Sequence, residues 1–247
     1  MNFKIRALTI SVFASLTIAP AFAAPPLTVS STPVADSFVS SANPVNNYGA
    51  GGALALSADG LPKGSFASLI RFDTAAATTA FDATFGVGQW SVQSASLRLT
   101  ATTPNNAIFN NADAGQFSVS WMESDAWVEG TGTPMVPTTT GVTFNTLPSF
   151  LSANDAPLGS FTFGGGISGS TIYTLNLPLG FTNDIWTGGL LSMRLFAEDS
   201  SVSYLFNSRN FGTVANRPEL SITVVPEPTC IALLFPVVLL IAARHRR

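Results

Sequence analysis

Between residues 24 and 224 there is no cysteine and no histidine; the chain's one cysteine, Cys230, and one histidine, His245, both lie close to its C-terminal end. No disulfide can form within that middle stretch. A Ser-His-Asp triad, a Cys-His pair and any imidazole or thiolate metal site are excluded there as well. Charge is also scarce, at 10% of residues. Of the 11 basic residues, Lys4, Arg6, Arg244, Arg246 and Arg247 fall outside the middle stretch, which leaves 6 against 13 acidic residues and a net of −7. A basic patch for nucleic acid cannot be built from this, so nucleic acid is not an expected partner. Long apolar stretches of helical period are missing too, and so is any internal repeat. What remains open is chemistry on paired carboxylates, or a hard-cation site made of oxygen ligands.

The two ends read as targeting segments. Residues 1–23 carry Lys4 and Arg6, then an apolar run from Ala7 to Ala19, then Ala21-Phe22-Ala23. A basic start, a short apolar core and a small-x-small site define a secretory signal peptide, with the mature chain expected to begin at Ala24. Residues 225–247 carry Pro226-Glu227-Pro228, an apolar run from Thr229 to Ala243, and a basic close containing Arg244, Arg246 and Arg247. As a helix the run would span roughly 22 Å against a hydrocarbon core of about 30 Å. The arginines would keep that end on the cytoplasmic side. A short span with a basic stop suits a sorting signal that is anchored and then processed.

These three parts in this order resemble the PEP-CTERM sorting signal of Gram-negative bacteria that make exopolysaccharide. The resemblance implies recognition by a membrane transpeptidase of the exosortase type, cleavage near Pro226, Glu227 and Pro228, and delivery to the cell envelope or extracellular matrix, with the tail as the contact to the membrane.

The middle stretch, residues 24–224, is long enough for one domain with a sizeable core. Its pattern is period two. Ala95, Leu97, Leu99 and Ala101 alternate with polar neighbours, as do Phe117, Val119 and Trp121, then Tyr173, Leu175 and Leu177. Met193, Leu195 and Ala197 repeat the pattern, followed by Val202, Tyr204 and Phe206, and by Leu220, Ile222 and Val224. Alternation of this kind puts one set of side chains inward and the other into solvent. Residues 68–73 add a further strand, and Thr74–Ala83, rich in alanine, a short turn of helix. Gly/Pro/Asn turns separate the strands. The expected fold is an all-β, antiparallel, jelly-roll-like β-sandwich, flanked by the signal peptide and a C-terminal hydrophobic sorting helix.

A second resemblance begins at Asp36 and runs through Val39, Asn43, Pro44, Asn47, Tyr48 and Gly49, then Arg71, Phe72 and Asp73. It continues through Trp127, Glu129 and Gly130, with Val142 to Pro148 after an insertion, and closes on Phe206, Ser208, Arg209, Arg217 and Pro218. Together these are similar to the DNRLRE-type domain, a carbohydrate-binding-module-like β-sandwich of secreted proteins. The six-letter string that names that family is absent, and Phe144 stands where the family usually has Trp.

Candidate site residues follow from chemistry. Exposed aromatic rings stack on the apolar face of sugars, so Tyr48, in an Asn-Tyr-Gly turn, and Trp127, beside Glu129, are candidates for a carbohydrate site. Trp121 shares its parity with Phe117 and Val119 and belongs to the core. Asp36, Asn43 and Asn47 are oxygen ligands in loops and are candidates for calcium. Arg71, Arg98, Arg194 and Arg209 are expected to pair with acids along the sheet. The functional expectation is a non-catalytic envelope or matrix protein that binds or organises extracellular polysaccharide. Two alternatives stand beside it: a structural surface protein acting through protein–protein contacts, and a polysaccharide lyase or hydrolase built on carboxylates such as Glu123, Asp125 and Glu129.

Overall fold

The structure is a computed structural model that describes residues 24–102, 109, 114–164 and 169–227. Ala21 and Ala23 of the expected cleavage site, and Pro228, Arg244, Arg246 and Arg247 of the expected sorting signal, lie outside the described residues. Within the described residues no helix is long and apolar enough to cross a membrane.

The described residues form eleven strands and two α-helices. In chain order they are β1 (Leu27–Ser31), β2 (Ala35–Ser40), β3 (Ala53–Ser57), β4 (Phe66–Asp73), α1 (Ala75–Phe85), β5 (Trp90–Thr100), β6 (Gly115–Met122), β7 (Ala156–Phe163), β8 (Ser170–Leu175), α2 (Leu179–Thr187), β9 (Leu190–Ala197), β10 (Ser203–Asn207) and β11 (Glu219–Pro226). All pairings are antiparallel. One sheet has the order β1-β11-β5-β8. The other has the order β10-β3-β4-β9-β6-β7, with β2 also paired to β4. The two sheets pack as a sandwich, and the period-two residues fill the space between them. Leu97, Leu99, Tyr173, Leu220, Ile222 and Val224 of the first sheet meet Ile70, Phe72, Phe117, Val119, Met193, Leu195, Tyr204 and Phe206 of the second in one buried core. Trp121 belongs to this core, as its parity requires.

The fold departs from the all-β expectation at one end, where the short helical turn expected over Thr74–Ala83 is the three-turn helix α1 and a second helix, α2, was not expected. The chain between β4 and β5 is α1, and the chain between β8 and β9 is α2, so both helices cap the same end of the sandwich. Each buries two residues four apart, Ala77 and Phe81 in α1 and Phe181 and Ile185 in α2. Nine or eleven residues hold only two or three turns, which is too short for a helical period to stand out in sequence. Gly188, in the left-handed conformation at φ 66°, closes α2 and lets the chain turn directly into β9. Strands β1, β2, β3 and β7 are further additions. Strand β2 is buried along its whole length, its polar residues Asp36, Ser37 and Ser40 included, so it has no solvent face and its sequence shows no apolar–polar alternation.

The outer face of the second sheet does not lie open. Residues 123–151 cross it and bury Trp127, Val142 and Leu147 against Ala35, Val39, Leu69 and Met122, a second core separate from the first. Leu69 and Met122 are the neighbours, in sequence, of inward-facing residues, which is why the alternation points them here.

Candidate functional site

Two features stand out on this outer side: a polar clamp that holds the crossing segment, and an aromatic pocket next to it.

The clamp is made of residues that are far apart in sequence. Asn47 is fully buried. Its Nδ2 donates to the carbonyl oxygens of Glu129 at 2.7 Å and Val142 at 2.8 Å. Its Oδ1 accepts the backbone N–H groups of Gly49 at 3.1 Å and Gly132 at 3.2 Å. A carboxamide has two donors and two acceptor sites, and all are used within the fold. The fit is tight enough to exclude side chains: a Cβ at Gly132 would sit 1.9 Å from the Asn47 carbonyl oxygen, and one at Gly49 the same distance from that of Glu129. Glu129 in turn takes the Arg209 guanidinium in a two-pronged pair, Nε to Oε1 and Nη2 to Oε2, each 2.6 Å, and Oε1 also accepts the Asp36 N–H at 2.9 Å. Paired, charge-assisted bonds of this geometry are the strong class. The Arg209 N–H donates to Oδ2 of Asp36 at 2.6 Å. Asp36 is 1% exposed. Burial pushes its carboxyl up from the usual range to about 7, and the neighbouring Glu129 charge adds to this against the opposing pull of Arg209.

Trp127 and Arg71 complete the clamp. The indole N–H donates to Ser192 Oγ at 2.9 Å. The Arg71 guanidinium lies 4.6 Å from the centre of the ring and donates to the carbonyl oxygens of Asp125 and Trp127. Arg71 thus joins the crossing segment to β4 by a cation–π contact and two hydrogen bonds.

This geometry corrects three expectations. Trp127 is 1% exposed, so its ring packs in the second core and presents no face to a sugar. Glu129 is committed to Arg209 and Asp36. The calcium set of Asp36, Asn43 and Asn47 does not fit an ion: both lone-pair directions of the Asn47 amide oxygen are taken by backbone N–H groups, one Asp36 oxygen accepts from Arg209, and Asn43 lines the pocket instead. Among the described residues no group of three or more Asp, Glu, His or Cys comes together in a form that could hold a metal ion. The acids Glu123, Asp125 and Glu129 do not converge either. Glu123 is bound by Ser152 and Asn154, which hold its carboxyl below the usual range. Of the arginines expected to pair with acids along the sheet, Arg98 does so, with its cross-strand neighbour Glu219 at 3.2 Å, and Arg209 pairs with Glu129 in the clamp, whereas Arg71 and Arg194 lie over the Trp127 and Phe196 rings.

The pocket has a volume of about 270 Å³. Ala55 and Leu205 alternate with the core residues Leu54, Leu56, Tyr204 and Phe206, so they point outward and form part of its lining. Its aromatic lining is Phe38, Tyr48, Phe66 and Phe109. Tyr48 and Phe38 are stacked face to face with centroids 4.5 Å apart and planes within 8°. Phe109 meets Phe66 edge-on at 5.2 Å, and Lys63 Nζ lies 4.5 Å from the Phe109 ring centre. Asn43 and Pro134 line it as well. Tyr48 is therefore 6% exposed yet borders a cavity, with its hydroxyl accepting from Asn46 at 3.4 Å. Residues 134–136 continue beyond the pocket as a turn with Met135 90% and Val136 70% exposed. Phe66 opens β4 and Phe109 lies between β5 and β6, so the pocket sits toward the end of the sandwich away from the helices. Phe38, Phe66, Phe109 and Leu205 were not singled out in sequence. Their only shared signal is their hydrophobicity, which every core residue has.

Neither a family model nor a curated protein matches this sequence. Among solved structures, that of Desmodium yellow mottle tymovirus is similar at 8% identity over 87% of this chain and 95% of that one, with a TM-score of 0.24. The electron cryo-microscopy structure of an empty cowpea mosaic virus-like particle is similar at 9% identity over 87% and 86%, with a TM-score of 0.23. At that identity and score the two likenesses carry no argument about what this chain is or does.

Proposed function

We propose that this chain is an exported, non-catalytic module of the DNRLRE-like kind that binds extracellular polysaccharide at the cell envelope, sorted there by its PEP-CTERM-like tail through an exosortase-type transpeptidase. We further infer that the sandwich is a jelly roll. In its support, the order β1-β11-β5-β8 in one sheet and β4-β9-β6-β7 in the other becomes, once β2, β3 and β10 are set aside as insertions, the first-last-third-sixth and second-seventh-fourth-fifth pattern of two interlocked Greek keys. The DNRLRE likeness is supported by the meeting of residues that carry it: Asp36, Asn47, Gly49, Glu129 and Arg209 form one hydrogen-bonded network.

The observation that carries the binding reading is the aromatic pocket. Four rings give a rigid apolar surface, and the apolar C–H face of a pyranose is what such a surface recognises. Its volume is below the roughly 300 Å³ at which drug-sized sites begin, which suits one sugar unit of a chain. The engagement of Glu129, Asp36 and Glu123 in hydrogen bonds within the fold favours binding over turnover. The test is the affinity of residues 24–227 for neutral and acidic polysaccharides, measured against the Leu205→Arg and Asn43→Ala variants. Saturable binding that Leu205→Arg abolishes is the expected result. Binding that Leu205→Arg leaves intact would remove the pocket from the argument. A folded domain that binds no polysaccharide would move the reading to a structural surface protein, which the exposed Met135–Val136 turn beside the pocket favours.

A further inference from the structure

Both ends of the described chain leave the sandwich at the helix-capped end. Strand β1 begins where β11 finishes, with Leu27 opposite Val224, and the last residues of β11 bring Pro226 opposite Trp90. The Glu227 N–H then donates to the carbonyl oxygen of Gln89 at 2.9 Å. The apolar run 229–243 starts two residues later, a reach of about 7 Å.

The surface at this exit is unusual in two respects. First, α1 and α2 contain no basic residue and only two acids, Asp82 and Asp184. Each acid accepts an indole N–H from the sandwich, Asp82 from Trp90 at 2.8 Å and Asp184 from Trp121 at 2.6 Å. Second, large apolar side chains stand out beside the exit. Val87 is 82% exposed and Trp186 44%. The Trp186 ring packs with its centre 5.4 Å from that of Trp90, and a Cβ at Gly88 would touch its edge at 3.6 Å. An exposed Trp on a charge-poor face is the residue type that settles at a membrane–water boundary.

We propose that this helix-capped end is a membrane-contact face: Val87 and Trp186 rest in the interfacial layer of the bilayer that takes up the apolar run, so the sandwich lies against the lipid surface with the aromatic pocket directed away from it. The proposal rests on the reading of residues 229–243 as membrane-inserted. With no basic residue on either helix, the contact is apolar and insensitive to salt.

The experiment uses residues 24–247, the expected mature chain with its tail and without the apolar run of residues 7–19, reconstituted into zwitterionic phosphatidylcholine vesicles, with and without acyl chains brominated near the headgroup. Flotation with the vesicles reports the tail. Quenching of the Trp186 emission, obtained by subtracting the Trp186→Phe variant, reports the face. Trp90, Trp121 and Trp127 are buried and serve as the internal reference. The expected result is at least twofold quenching of the Trp186 component, the same at low and high salt, and reduced by Val87→Asp without loss of flotation. Flotation with an unquenched Trp186 overturns the membrane-contact face and leaves the tail reading standing, whether that side chain is then in water, under a second copy or under another segment. Failure to float overturns both.

Discussion

Asp36 offers the sharpest test of the clamp. Its carboxyl is buried and raised to about 7 from an ordinary value of 3.8. A group whose folded value is raised contributes stability that is fully present below its unfolded value and is lost as pH rises through the folded one. The window is therefore pH 4 to 7, and stability falls on going up. About three pH units at roughly 1.4 kcal/mol each bound the effect at about 4 kcal/mol. The substitution Asp36→Asn keeps the size of the side chain and an acceptor for the Arg209 N–H while removing the titration. Urea unfolding of residues 24–227 should be followed at pH 4.5, 6 and 8 in both forms. Every other titrating group is common to the two, so the difference between them isolates this one. The variant should gain on the wild type by about 3 kcal/mol from pH 4.5 to 8, since part of the window lies below pH 4.5, or about 6 to 12 °C in Tm for a domain of this size. A difference that stays constant over that range would refute the reasoning, because it would mean that the carboxyl titrates alike in the folded and unfolded chain.

Three further outcomes are expected. Truncating Asn47→Ala leaves two carbonyls and two N–H groups without partners and should cost about 3 kcal/mol or more in urea unfolding, with added calcium restoring nothing. Gly132→Ala should be at least as damaging, since its Cβ would meet the Asn47 carbonyl oxygen at 1.9 Å, and hydrogen exchange should show residues 128–142 opening before the main core. Removing one partner of the two-pronged pair, as Arg209→Met or Glu129→Gln, should cost about 2 kcal/mol at this partly exposed position, and a double-mutant cycle should return a favourable coupling between the two side chains.

Much of the sandwich was legible in the sequence because alternation is a local signal: β5, β6, β8, β9, β10 and β11 each bury one face against the opposite sheet, and a side chain's parity then determines its side, as with Trp121. The same physics hid β2, which is buried on both faces, and α2, which is too short to display a period; α1 was legible at Thr74–Ala83 through its alanine content and not through a period. The proposal that residues 1–23 and 225–247 are targeting segments likewise rests on local composition, on apolar run, flanking charge and small residues, and not on the fold. The candidate site was a different matter. Asn47, Trp127, Glu129 and Arg209 were each visible as motif residues, but whether a ring faces solvent or a carboxylate is free depends on what the chain lays over it. Residues 123–151 cross the outer face of the second sheet and bury Trp127 there, and Arg209, 80 positions along the chain from Glu129, occupies both oxygens of that carboxylate. The pocket is likewise a product of tertiary structure, since Phe38, Phe66, Phe109 and Leu205 come together only when β2, β4 and β10 and the chain between β5 and β6 are side by side. Local pattern determined most of the strands; which aromatics became core and which line a cavity was decided by long-range packing, because burial is a relation between segments that no single segment carries.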